Sequence, residues 1–349
     1  MTSPSLASVT GMPDEESAQQ TRLGYVTEDP PPTTVQTTEE AEPLSPWFNV
    51  VHLIWLHNKG YIDTLPPELG PYPMMYRAED ERLGTQLRDW GILDERLALT
   101  EQARSLLSAL VGAYDWALWG LTIMFAARQR VEVSMPQALI EYGVPFSLRD
   151  TPRVPLMICV RKDEVVSALS TVERLYVRRY PRKGDANQQV GLALKELMDP
   201  DDQIKALDMK PITVPATLVT ELASDEVSSA GVRPDDTGDE RAEASKAVKN
   251  RLLKEHMSST TANELAKLVS EETSVLTQVG IIDESSNGFG AVKGLAMGLL
   301  YFGNGLMVSH PEFFPDGSVQ IKYRPGNEKA FTEGVASLRR AARKYPRMT

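Results

Sequence analysis

The chain has 349 residues, 42% of them apolar and 24% charged, and a formal net charge of −11; this is the composition of an ordinary soluble protein. Residues 1–43 carry eight carboxylates against Arg22 alone, and residues 225–241 carry six against Arg233 and Arg241. Those two stretches hold the whole net charge, and the remaining 289 residues balance 34 acidic with 34 basic groups. A neutral body speaks against a general nucleic-acid binder or an anionic-membrane binder, since both draw most of their affinity from clustered Lys and Arg.

The single cysteine, Cys159, lies in the apolar run Leu156–Val160. It excludes an intrachain disulfide and a multi-thiolate metal site and points to a reducing cytoplasm. The opening MTSPSLASVTGMPDEES has neither the basic nor the apolar region of an export signal. The most apolar stretches, Trp116–Ala127 and Leu295–Val308, fall short of the roughly 20 residues a spanning helix needs. The expectation is therefore a cytoplasmic protein without membrane insertion.

In chain order, residues 1–43 contain six prolines and almost no large apolar side chains, so a disordered acidic tail is expected. Trp47, Val50, Val51, Ile54 and Trp55 recur at helical spacing and predict a helix from just after Pro46 to near Gly60. The prolines between Pro66 and Pro73 forbid regular structure. Leu83, Leu87 and Trp90, closed by Gly91, predict a second helix, and Leu106, Leu107, Leu110 and Val111 a third that opens near Thr100. Strands are predicted at Trp116–Phe125, Val154–Arg161, Val165–Leu169 and Val172–Arg179, then a helix at Ala186–Met198 and a short strand at Ile212–Val214. Ser224–Ala244, rich in Gly, Pro and Asp, reads as an acidic flexible loop.

Beyond it, helices are predicted at Ala244–His256 and Ala262–Glu272. Val275–Asp283 and Phe289–Lys293 should then pair as a hairpin across Asn287-Gly288. Leu299–Phe302, Leu306–Val308 and the alternating Val319, Ile321 and Tyr323 predict three more strands. Asn327 caps a last helix that carries Arg339, Arg340, Arg343 and Lys344 at its negative end. Helices, strands and a closing helix occur twice, which predicts an α+β fold with a largely antiparallel central sheet. Its halves would be residues 44–223 and 245–349, joined by the loop 224–244.

No catalytic constellation appears. The four histidines, His52, His57, His256 and His310, lack ligand spacing and read as structural or surface residues. The glycines from Gly288 to Gly294 read as a turn rather than a dinucleotide loop. Asp199, Asp201 and Asp202 lack the glycine and distal Glu of a calcium hand. The basic run Arg178, Arg179, Arg182 and Lys183 reads as a strand running into a solvated turn. The expectation is a protein with no catalytic, cofactor-binding or metal-binding residues, one that is not an enzyme.

The order of segments carries a resemblance. It rests on the turn Leu65-Pro66-Pro67-Glu68-Leu69-Gly70-Pro71-Tyr72-Pro73-Met74, the helix end Asp89-Trp90-Gly91-Ile92-Leu93 and the segment Pro211-Ile212-Thr213-Val214-Pro215-Ala216. Leu300-Tyr301-Phe302-Gly303-Asn304-Gly305, followed by Asp316-Gly317-Ser318-Val319-Gln320-Ile321, completes it. Over about residues 46–345 the chain resembles the EspG family of actinobacterial ESX (type VII) secretion-associated proteins, departing from it in the long acidic tail and the expanded loop 224–244.

The resemblance implies a cytosolic chaperone without cofactor. It would bind the hydrophobic tip of the PPE subunit of a PE-PPE pair, or an equivalent helical substrate, keep it soluble and direct it to its secretion system. It also implies two helical bundles flanking the sheet in a pseudo-twofold arrangement. The alternative is a non-catalytic structural or regulatory interaction protein with an unrelated partner. For the partner-binding surface, the mixed face of Val275–Ile282 is the candidate: Leu276, Gln278, Gly280 and Ile282, together with the polar side of the Ala262–Glu272 helix.

Overall fold

The structure is a computed structural model, and it describes residues 42–43, 48–70, 81–124, 129–130, 149–150, 153–171, 174–224, 237–283 and 296–344. The expected tail, apart from Glu42 and Pro43, lies outside these residues. So do most of the acidic loop and the expected hairpin arm at 289–293.

Ten strands form one antiparallel sheet, and its order follows from the chain. The first half begins with β1 (Glu42–Pro43), continues through helices α1 (Val50–Asn58), α2 (Glu81–Asp89) and α3 (Glu101–Leu110), and then lays down β2 (Trp116–Met124). A separate two-stranded ribbon, β3 (Gln129–Arg130) with β4 (Arg149–Asp150), precedes β5 (Arg153–Val160), β6 (Glu164–Ser170), β7 (Leu175–Pro181) and α4 (Ala186–Met198). The second half repeats the plan with β8 (Ile212–Pro215), α5 (Ala216–Ser224), α6 (Gly238–Lys254), α7 (Ser259–Ser270), β9 (Thr273–Asp283), β10 (Met297–Phe302), β11 (Gly305–Phe313), β12 (Val319–Pro325) and α8 (Glu328–Lys344).

The sheet order β1-β7-β6-β5-β2-β9-β10-β11-β12-β8 reads alike from either end. The halves meet along β2 and β9, from Trp116 opposite Asp283 to Met124 opposite Val275. The fold is α+β, with a large antiparallel sheet. Both outermost strands are blunted by proline, β1 by Pro43 and β8 by Pro211 and Pro215, which cannot donate to a further strand.

Side chains alternate across the sheet, so each face has its own core. On one face, Leu118, Leu156, Ile158, Val165, Val279, Ile281 and Val308 pack under α4 and α8. The two helices cross so closely that a Cβ on Gly191 would sit 2.9 Å from the Thr332 backbone nitrogen. On the other face, Ala117, Met157, Cys159, Val166, Ala168 and Val177 pack under α1–α3. At the far end of that face, Ile212, Val214, Phe302 and Met307 pack under α5–α7.

Two expectations change in the second half. Residues 238–244, expected as loop, are the first turns of α6. A capping box sets its start: the Thr237 hydroxyl accepts the Glu240 N–H while the Glu240 carboxylate accepts the Thr237 N–H, and Asp239 and Glu240 favour the positive helix end. Residues 216–224, where the sequence suggested no element before the loop at Ser224, form α5, whose Leu218 and Leu222 are buried against α6 and α7. Two Ala, two Leu and one Glu among its nine residues favour the helix, and burial of Leu218 and Leu222 fixes it in place.

Candidate partner-binding surface

Helices α1–α3 and α5–α7 pack over separate cores on the same sheet face, and the sheet between those cores is only partly covered. Along β2, Trp119, Leu121 and Ile123 point to this face opposite Gly280, Gln278 and Leu276 of β9. Across the next ladder, Gln278 faces Gly298 and Leu276 faces Leu300 of β10. Gln278 is exposed and the other seven are half-buried. Trp119 joins this floor to the first bundle: its ring packs on that core and its indole N–H donates to the Glu68 carbonyl at 3.1 Å. Leu300 packs against the second bundle. The result is an apolar trough running from bundle to bundle, left low in its middle by Gly280 and Gly298, which raise no side chain from the floor.

Of the four β9 residues chosen from sequence, Leu276, Gln278 and Gly280 lie in this trough. Ile282 does not. It is 6% exposed and belongs to the core under α1–α3, because the sheet face that is open at Gln278 is already roofed two residue pairs further along. Sequence alternation assigns a face, but not the point along the strand where a neighbouring bundle begins to cover it. The β2 and β10 contributions were missed for a related reason. The alternation Trp119, Leu121, Ile123 is visible in the sequence, but its pairing with β9 is fixed only by the fold. On α7, Asn263 and Lys267 are exposed, and Lys267 is partly engaged, its ammonium donating to the Asp208 carbonyl at 3.2 Å.

The titratable groups of the interior serve packing. In α1 the His52 Nδ1 accepts the Asn49 N–H at 3.2 Å, so Nε2 carries the proton and donates to Gln86 Oε1 at 3.2 Å. Burial holds this imidazole down at about 4, with the Gln86 bond opposing the shift. Its ring lies between Phe48 and Trp90. Burial likewise lowers His310, whose Nδ1 contacts the Pro311 carbonyl, with Arg324 and Lys322 nearby. The Cys159 thiol is fully buried and pushed far upward, first by desolvation and then by the charge of Glu68.

Among the described residues, no group of three or more His, Cys, Asp or Glu could hold a metal ion, and no helix is long and apolar enough to cross a membrane. A shallow opening of about 320 Å³ is lined by Gln188, Leu192, Glu328, Lys329, Thr332 and Glu333. It lies between α4 and α8, on the face opposite the trough.

This architecture has a counterpart among solved structures. The type VII secretion chaperone EspG5 of Mycobacterium tuberculosis, in its complex with the PE25-PPE41 dimer, matches 85% of this chain over 95% of its own, with a TM-score of 0.55 and 14% identity. The fold is EspG-like. No protein-family profile and no curated sequence matches the chain.

Within this EspG-like fold, the segments that carried the sequence resemblance occupy defined places. Pro67–Leu69 is a 3-10 turn that brings the Glu68 carbonyl to Trp119, at the trough's edge. Gly91, at φ +69°, ends α2 and turns Ile92 and Leu93 into the first core. Gly303-Asn304 turns β10 into β11, and Ile212–Pro215 is the outer strand β8.

Proposed function

We propose that this protein is a cytoplasmic secretion chaperone. It holds the apolar tip of a PPE-type subunit within a PE-PPE pair, keeps the pair soluble and directs it to a type VII (ESX) secretion system. It does so by non-covalent grip, without catalysis or cofactor. The observation that carries the reading is the apolar trough between two bundles in an EspG-like fold. An apolar helical tip is held best by an uncharged surface that can be fully desolvated. Proline-blunted edges favour recognition by the sheet face over strand addition. Helices α1–α3 and α5–α7 supply the two walls, and Leu276, Gln278 and Gly280 part of the floor.

The test is coexpression with PE-PPE pairs from the same genome. A stable 1:1:1 complex is expected with at least one pair, and its absence with every pair removes the role. Leu276→Glu should weaken such a complex by about tenfold or more by placing an unpaired charge in a desolvated seat. Unchanged affinity would refute the placement of the seat while leaving the role standing.

A further inference from the structure

The body of this protein is neutral, yet the fold gathers two sequence-distant basic runs at one end of the upper layer. At the end of β7 the Arg182 backbone N–H donates to the Asp163 carbonyl at 2.8 Å, and its guanidinium donates to the carbonyls of Arg161 and Lys162. This folds the β5–β6 turn against the start of α4. From the other side α8 returns antiparallel to α4. Arg339 donates to the Asn187 side chain at 3.0 Å, and its guanidinium covers the Trp116 ring at 4.4 Å from the centroid. Trp116 pairs with Val160, the residue before Arg161, so the two basic runs meet on one rim.

Five cations there are exposed: Lys162, Arg182, Lys183, Arg340 and Arg343. Among the described residues of the rim the exposed carboxylates are Asp115, Asp163 and Asp185, and Asp185 is occupied capping α4 through the Gln188 N–H. The helix dipole accounts for Arg340 and Arg343, which sit at the negative end of α8. It does not account for Arg182 and Lys183, which precede the positive end of α4, where cations are disfavoured. Arg182 ties the β5–β6 turn to the start of α4 through two carbonyls, and its charge, added to those of Lys162, Lys183, Arg340 and Arg343, makes this end of the molecule attractive to anions.

We propose that this rim is a docking surface for a carboxylate-rich segment of another protein. Three of its five exposed cations are arginines, whose planar fork matches a carboxylate in two-point contact. Among the described residues, Trp116 is 7% exposed beneath Arg339 and Tyr180 is half-buried with its hydroxyl donating to Glu196, so neither ring is presented as an open stacking platform for bases or an anchor for a bilayer. The rim lies on the opposite face from the trough, so one can be filled while the other is open.

The probe is a fluorescein-labelled octaglutamate peptide, followed by anisotropy with the full chain. Saturable binding is expected at about 50 mM NaCl, weakening about tenfold or more toward about 300 mM as screening shortens the reach of the charges. The double variant Arg340→Glu/Arg343→Glu, and separately Lys162→Glu, should lose about tenfold, with melting temperatures confirming that both stay folded. Lys246→Glu/Lys249→Glu, exposed cations on α6, should bind as the parent does. Absence of saturable binding, equal loss in the α6 variant, or tighter binding to a dT20 oligonucleotide or to phosphatidylglycerol vesicles would each overturn the proposal. None of these outcomes bears on the trough.

Discussion

Acidification should destabilise this protein through His52, and the size of the effect can be worked from its surroundings. The imidazole is 3% exposed, accepts the Asn49 N–H and donates to Gln86, so it is held neutral with its titration lowered from 6.5 to about 4. Below pH 6.5 the unfolded chain takes up a proton that the folded chain refuses. Stability therefore falls as pH falls, from about 6.5 down to about 4, and is fully present above 6.5. The whole shift corresponds to about 3 kcal/mol, and the part lost between pH 7.5 and 5.5, still above the sequence pI of about 5.1, to about 1.3 kcal/mol.

The perturbation is His52→Gln. Glutamine at the third helical position can still close the capping box on Asn49, but it does not titrate. Urea midpoints followed by tryptophan fluorescence at pH 7.5 and 5.5 should show that the parent loses about 0.4 M more than the variant, for a slope of about 3 kcal/mol/M in a chain of this size. Carboxylate protonation and the smaller contribution of His310 are common to both proteins and cancel in the difference. Equal shifts in parent and variant would refute the assignment of His52 as a buried neutral histidine.

Ile282→Glu should destabilise by several kcal/mol, because it puts a carboxylate into the core under α1–α3, whereas Gln278→Glu should leave the melting temperature nearly unchanged; thermal melts separate the two. Gly191→Ala should cost about 1–3 kcal/mol, since its Cβ would press on the backbone of α8 at Thr332, with chemical denaturation as the readout. Thr237→Ala should cost about 1 kcal/mol and raise hydrogen exchange in the first turn of α6. Cys159 should resist a thiol reagent in the native protein and react at once in denaturant, its thiol being fully buried with a strongly raised pKa.

The sequence by itself determined what depends on neighbours along the chain. Alternation and turn residues placed β2 and β5–β12, though not the short ribbon β3–β4, cap residues such as Thr100 and Asn327 opened helices, and the repeated order of elements pointed to one large antiparallel sheet. These signals are local: a period of two or 3.6 residues, or a side chain bonding an amide three positions on.

Only the tertiary structure decided what depends on chain segments far apart. It set β2 of one half beside β9 of the other, separating a buried Ile282 from an open Gln278 on the same strand face. It formed α5 by burying Leu218 and Leu222, and it brought Arg182 and Arg340 onto one rim from positions more than 150 residues apart in sequence. The physical reason is that exposure belongs to a place in space. Whether a side chain on a given face meets solvent or a roof depends on elements whose approach no local pattern encodes.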